Sequence, residues 1–191
     1  MRLVYLFRHA ATASNAARLF LGRRDEPLSP SGVAQARARF ASGVPEVDAV
    51  FCSPLSRCVE TARILYPSFV PTVVDEFIEM DFGRFEGKDH AQLMASEPEY
   101  QRWLDSGGTS PVPDGECMAD LTARCCAGFR HLASSCEGER VAVVVHGGTI
   151  MALLAALCDP PRGFYDSYTQ NCCDVPCSWD GSHLRVLEGG V

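Results

Sequence analysis

The sequence predicts an α/β fold, a three-layer sandwich with a mostly parallel central sheet, helices on both faces and a small helical and loop overhang. The main observation is a design used three times: an apolar run, a turn, then a helical stretch. The three are "LVYLF" before "RHAATASN", "DAVFC" before "SPLSRCVETARIL", and "VAVVV" before "HGGTIMALLAAL". Runs apolar on both faces belong to a sheet covered on both sides, and their alternation with helices favours parallel crossovers. The second observation is length: 191 residues suffice for one full core and not for two ordinary domains, so residues 1–191 are expected to form a single domain.

In chain order, the leading strand is followed by "LSPSGVAQARARF", where Ser29 can cap a helix, Pro30 suits its first position, and Val33, Ala36 and Phe40 share a face. Ser53 and Pro54 repeat that device. A short strand at 72–74 leads into "EFIEMDFGRFEG". Residues 86–116 are irregular, with Gly107, Gly108, Pro111, Pro113 and Gly115 around a helical piece holding Tyr100, Trp103 and Leu104. They read as an excursion off the sheet that overhangs a site. Phe82, Phe85, Tyr100 and Trp103 could stack on an aromatic base, but a small core of the overhang is the simpler expectation. Residues 119–133 read as a helix, and "HLRVLEG" as a last strand.

Composition removes several classes of function. Hydrophobic residues make up 47% and charged residues 21%, and no run approaches the roughly 18 apolar residues of a membrane helix. No secretory signal is visible ahead of the first strand, so a cytoplasmic location without membrane attachment is expected. Acidic residues outnumber basic ones 24 to 17, for a net charge of −7, which argues against a nucleic-acid partner. Ten cysteines occur without any C-x-x-C. They are expected to be mainly small buried residues in a reducing compartment, the other reading being a metal or redox role around Cys172, Cys173 and Cys177.

Ligands of open α/β sheets lie beyond the carboxyl ends of the strands. Here those ends carry Arg8 with His9, then Arg57, then His146. Arg57 falls in the first turn of its helix, where the macrodipole disfavours a cation by about 0.3–1 kcal/mol. A bound anion would reverse that sign, and guanidinium holds phosphate bidentately. Otherwise Arg57 would be a surface residue paired with Glu60 or Asp48. His146 precedes Gly147 and Gly148, which let the backbone approach a ligand at a helix start with unpaired N–H groups. His90, His131 and His183 have no such setting. Glu79, between Ile78 and Met80, is in surroundings that favour the protonated carboxyl a general acid needs. Spacing alone does not separate it from Asp81 or Glu86.

With "RHAATASN", "GRRDEPLSPSGVAQA", "VFCSPLSRCVETARIL", "EMDFGRFEG" and "VVVHGGTIMALL" in order, the chain resembles the histidine phosphatase superfamily, the phosphoglycerate-mutase-like proteins. The resemblance implies that His9 takes a phosphoryl group as phosphohistidine and that water then releases it. It implies that Arg8, Arg57 and His146 surround the phosphate, that Asn15 adds a hydrogen bond and that Glu79 protonates the departing oxygen. Gly22, Gly147 and Gly148 join the phosphate- and substrate-binding set. Two guanidiniums and helix-start amides suit the charge of phosphoryl transfer without a metal or other cofactor. His9 must attack as neutral imidazole, whereas His146 would help most as a donor.

Ala10 and Ala11 depart from the family's usual R-H-G-E-T, removing a glutamate that faces substrate in some relatives; Phe85 stands where tryptophan is frequent. The short chain favours hydrolysis over a mutase reaction. Within the family it looks most like the α-ribazole phosphatases of cobalamin biosynthesis, with a phosphatase for a sugar phosphate, phosphoserine or phosphoglycerate, or a phosphoglycerate mutase, as alternatives. The expected partner is a small phosphorylated metabolite, and the expected assembly a monomer or homodimer. Two readings from other classes compete: a metal held by His9, His146 and Glu79, which Arg8 and Arg57 would repel, and a phosphate-binding module without turnover.

Overall fold

In a computed structural model that describes residues 1–187, the strand of the first quoted motif is β1 (Arg2–Arg8). A single helical turn, α1 (Ala13–Ala16), and the helix α2 (Pro30–Ala41) follow. The second unit is β2 (Ala49–Cys52) with α3 (Ser56–Leu65), and the edge strand is β3 (Thr72–Val73). Residues 86–116, expected to overhang the site, hold α4 (His90–Ser96) and α5 (Pro98–Asp105). The chain returns through α6 (Met118–Ser135), β4 (Arg140–Val145) and α7 (Gly147–Leu157), and ends in β5 (Asp174–Trp179) and β6 (Leu184–Val186).

The six strands form one sheet in the order β3-β2-β4-β1-β5-β6. β3, β2, β4 and β1 are parallel, while β5 runs antiparallel to β1 and β6 antiparallel to β5. The pleat sends alternate residues to opposite cores. Val4, Leu6, Val141, Val143 and Val145 pack with Phe129, Ile150 and Leu153 of α6 and α7. Phe7, Ala142 and Val144 pack with Ala36 of α2 and Cys58, Ala62 and Leu65 of α3. Burial on both faces explains why these strands read as continuous apolar runs.

Several expectations need correction. Ser29 caps α2 through a 3.0 Å bond from Gly32 N to its Oγ, as its spacing predicts, but Phe40 on that helix is 46% exposed. Ser53 caps nothing: α3 begins at Ser56 behind Leu55, without a side-chain cap. β5 is missing from the sequence reading because "DVPCSW" carries a proline and little alternation; its Pro176 sits in a strand between β1 and β6. Glu188 and Gly189 of the expected last strand lie outside the described residues. All ten cysteines are unpaired, with Cys172 and Cys177 buried. Among the described residues no helix is long and apolar enough to cross a membrane.

Candidate active site

The register of the three parallel strands brings their carboxyl ends to one edge: Arg8 is level with Val145, and Cys52 with Val144. The residues that follow, His9, Ser53 and His146, therefore emerge side by side. His9 N donates to Val145 O at 2.9 Å and Ser53 N to Val144 O at 3.1 Å, so the strand ladder itself places them.

His9 is 3% exposed, and its Nδ1 lies 2.7 Å from Ala10 O. A carbonyl only accepts, so the ring proton sits on Nδ1 and Nε2 keeps its lone pair. Burial first, then the Arg57 charge and the weaker pull of Arg8, lower its pKa to about 3. His9 is thus neutral at ordinary pH, as a nucleophile must be.

Arg57 is fully buried, without a carboxylate partner among the described residues. Its Nη2 donates to Gly22 O at 2.7 Å, its Nη1 to Arg24 O at 3.0 Å and its Nε to His146 Nδ1 at 3.3 Å. The ion pairs considered from sequence do not form: Asp48 binds Arg140, and Glu60 accepts from Leu28 N. A buried guanidinium held only by neutral acceptors leaves its positive charge uncompensated.

His146, also fully buried, receives the Arg57 Nε–H on Nδ1. Its proton therefore sits on Nε2, 2.7 Å from Ser53 Oγ, with Cys58 Sγ 3.5 Å away. Burial, Arg57 and His9 hold its pKa well below the usual histidine value. This arrangement differs from the expected donor to phosphate: the N–H is directed at Ser53. The ring centroids of His9 and His146 are 5.3 Å apart, so His146 and Arg57 stand immediately behind His9.

Arg8 is held from the opposite side. Its Nη1 donates to Thr169 O at 2.8 Å and to Tyr168 Oη at 3.3 Å, and its guanidinium carbon lies 5.5 Å from the Tyr168 ring centroid. Its Nε is buried and has no acceptor among the described residues. Glu79 is 7% exposed and accepts from Gly148 N at 3.0 Å and Met80 N at 2.9 Å. Burial raises its pKa against the opposing pull of those bonds and of Arg57 and Arg8. The competing carboxylates are engaged elsewhere: Asp81 accepts from Gly83 N, and Glu86 from Gly22 N and Arg23 N.

Arg8, His9 and Glu79 border a cavity of about 380 Å³ that Asn15, Gly147, Gly148, Phe20, Phe82, Met151 and Tyr168 also line; Arg57 and His146, expected around the phosphate, are fully buried and outside that lining. Asn15 Oδ1 is committed to Thr12 N and Asn171 Nδ2, which leaves its amide NH₂ as the end able to donate. Gly147 opens α7, and its N–H has no partner within the helix. Gly148 has to be bare, since a Cβ there would fall 2.4 Å from Glu79 Oε1. Gly22 is not in the lining; a Cβ would fall 2.0 Å from Met80 O, and its carbonyl orients Arg57. Ser53, Tyr168, Thr169 and Asn171 escaped the sequence reading. Only Ser53, at a strand end, carried a positional signal. Among the described residues no three His, Cys, Asp or Glu side chains group as a metal site.

The fold and this edge define an α/β protein with a cationic, histidine-bearing pocket at the carboxyl ends of its parallel strands. The sequence pattern of the histidine phosphatase superfamily (branch 1) matches residues 4–189, and the chain belongs to that superfamily of phosphatases and mutases. A 2,3-bisphosphoglycerate-dependent phosphoglycerate mutase of Methylobacterium sp. (strain 4-46) is 33% identical over 168 residues, covering 82% of this chain and 80% of that protein. The solved structure of the alpha-ribazole phosphatase from Shigella flexneri superposes with a TM-score of 0.85 at 25% identity, over 98% of this chain and 96% of that one. A mycobacterial glucosyl-3-phosphoglycerate phosphatase, solved with VO3, superposes at 0.86 with 27% identity and 98% of both chains.

Proposed function

We propose that this protein is a metal-independent phosphomonoesterase that works through a phosphohistidine on His9. The observation that carries the reading is the bond between His9 Nδ1 and the Ala10 carbonyl, which leaves the Nε2 lone pair available beside two guanidiniums that have no carboxylate partner among the described residues. A phosphate dianion supplies the missing negative charge. Arg8, the Asn15 amide and the Gly147 N–H receive its oxygens at the cavity wall, while Arg57, held in place by neutral His146, supplies positive potential beside His9.

The Nε2 lone pair of His9 forms the N–P bond as the ester P–O bond breaks, and the departing oxygen takes the proton of Glu79. Burial raises the pKa of that carboxyl, which favours the acid form a proton donor needs. Water then attacks phosphorus, Glu79 carboxylate takes its proton, and the N–P bond electrons return to His9 as inorganic phosphate leaves. His9 supplies the covalent chemistry, and preset charge around it stabilises the charge on the phosphoryl oxygens in both steps.

The proposed substrate is a small phosphorylated metabolite, with α-ribazole 5′-phosphate the lead candidate. Its support is the structural likeness to the alpha-ribazole phosphatase from Shigella flexneri and a cavity lined in part by the aromatic rings of Phe20, Phe82 and Tyr168. Phe20 and Phe82 pack edge to face at 5.0 Å, and a fully hydrophilic substrate such as phosphoglycerate has no use for that surface. The test is hydrolysis of 4-nitrophenyl phosphate, α-ribazole 5′-phosphate, 3-phosphoglycerate, phosphoserine and ribose 5-phosphate, with alkaline quenching to trap phosphohistidine. Preference for α-ribazole 5′-phosphate by orders of magnitude supports the specific substrate. Hydrolysis without a trapped His9 adduct overturns the mechanism.

A further inference from the structure

The loop that carries Glu79 has no strand or long helix to hold it. Between single helical turns at Asp75–Phe77 and Gly83–Phe85, residues 78–82 form no regular structure, so their backbone groups need partners from elsewhere. One side chain of α6 supplies several. Arg124 Nη1 donates to Glu76 O and to Ile78 O, each at 2.7 Å, and Nη2 reaches Glu79 O at 3.5 Å. The same guanidinium grips Glu116 with two prongs, Nε to Oε1 at 3.1 Å and Nη2 to Oε2 at 2.9 Å, a pairing that fixes direction as well as distance.

Glu116 holds the loop from its other end. Its N–H donates to Asp81 O at 3.0 Å, and its Oε2 accepts from Asp81 N at 3.0 Å. Both backbone groups of a residue two positions after Glu79 are thereby engaged. The chain ahead of Glu116 lies against the same segment: a Cβ on Gly115 would fall 2.4 Å from Asp81 O, and Arg84 N donates to Pro113 O at 3.0 Å. Glu116 Oε1 also accepts from Arg23 Nη2 at 2.7 Å. The side chains of Arg124 and Glu116 are only 20% and 15% exposed, so salt screens the pair less than a surface one. Neither residue lines the phosphate cavity.

We propose that Arg124 and Glu116 are positioning residues for the proton donor: together they fix the backbone of residues 76–81 so that the Glu79 carboxyl stays on Gly148 N–H, at the cavity wall, where the departing oxygen needs its proton. The proposal rests on the hydrolase reading, which gives Glu79 that task. The nucleophile is held independently, His9 by Val145 O and Ala10 O. Loosening the clamp therefore removes proton donation and leaves attack on phosphorus in place.

The leaving group reads out the difference. Arg124→Met keeps an unbranched stem and removes every donor, while Arg23 continues to pair with Glu116. It should lower kcat on an alkyl phosphate about 10–100-fold, on the scale of a reacting group misplaced by about 1 Å. The loss on 4-nitrophenyl phosphate should be less than about threefold, because that leaving group needs little protonation. KM should be nearly unchanged for both. In a Glu79→Gln background, Arg124→Met should cost almost nothing further on the alkyl phosphate, since the loop then carries no proton donor to misplace. Arg124→Lys keeps the charge without the fork and should show the same pattern with a smaller loss; it serves also if Arg124→Met does not fold.

Wild-type rates in both variants, equal losses on the two phosphates, or losses that add in full to those of Glu79→Gln would overturn the positioning role. A Glu79→Gln enzyme that is itself indifferent to the leaving group would instead overturn the proton donor of the hydrolase reading, so the two failures are distinguishable.

Discussion

The two ends of the pocket are built differently. At the phosphate end every charged side chain is set by backbone: Arg57 by the carbonyls of Gly22 and Arg24, Arg8 by that of Thr169, His9 by that of Ala10, and Glu79 by the amides of Gly148 and Met80. At the other end aromatic side chains pack on one another around Phe20. Backbone-held groups keep their positions when neighbours change, whereas packed rings can be exchanged for others of similar volume. The chemistry is therefore rigidly specified and the substrate body adjustable, which matches a superfamily that holds both phosphatases and mutases.

The contrast breaks most severely at His9. His9→Ala should lower turnover of every phosphomonoester on the order of 10⁵-fold and abolish the alkali-stable phosphoprotein; activity within 100-fold of wild type would remove it as nucleophile. Arg57→Ala should cost about 10²–10³ in kcat, and also lower the melting temperature because two backbone carbonyls lose their donor. Comparing kcat with the melt separates these effects.

Glu79→Gln tests where the two ends meet. Loss on an alkyl phosphate should be about 10²–10³-fold, against less than tenfold on 4-nitrophenyl phosphate, whose leaving group needs little protonation. Equal losses on both would remove Glu79 as the proton donor.

Stability against pH reports the buried imidazoles. The folded-state pKa of His9 is about 3 against 6.5 unfolded, and that of His146 is also depressed. Between those values the unfolded chain binds more protons, so stability is full above about pH 6.5 and falls on acidification toward pH 3. The slope is about 1.4 kcal/mol per pH unit for each histidine. Glu79, with a raised pKa, acts with the opposite sign above its unfolded value. Denaturant midpoints at pH 7, 6 and 5 should show the fall, and His9→Asn should remove its share; an unchanged slope would mean that His9 is protonated in the folded protein.

The smallest effect belongs to Ser53. Ser53→Ala removes the acceptor of the His146 Nε2–H and should cost about 0.5–1.5 kcal/mol, a few-fold to tenfold in kcat. A Thr substitution should restore most of it if the hydroxyl is what matters.

The sequence by itself determined the parallel part of the sheet, the capped helix after Ser29 and the strand-end location of Arg8, His9, Arg57 and His146. Those signals are local: burial on both faces shapes a strand's composition, and a cap or helix start is written within a few residues. Tertiary structure alone decided among Glu79, Asp81 and Glu86, because only the approach of Gly148 and the burial it brings set Glu79 apart. It also reassigned Ser53 from a cap to a partner of His146, and Gly22 from a ligand contact to a support for Arg57. The same holds for Tyr168 and Thr169. Each depends on contacts between segments 30 or more residues apart, and side-chain hydrogen bonds across such distances leave no periodicity in the chain.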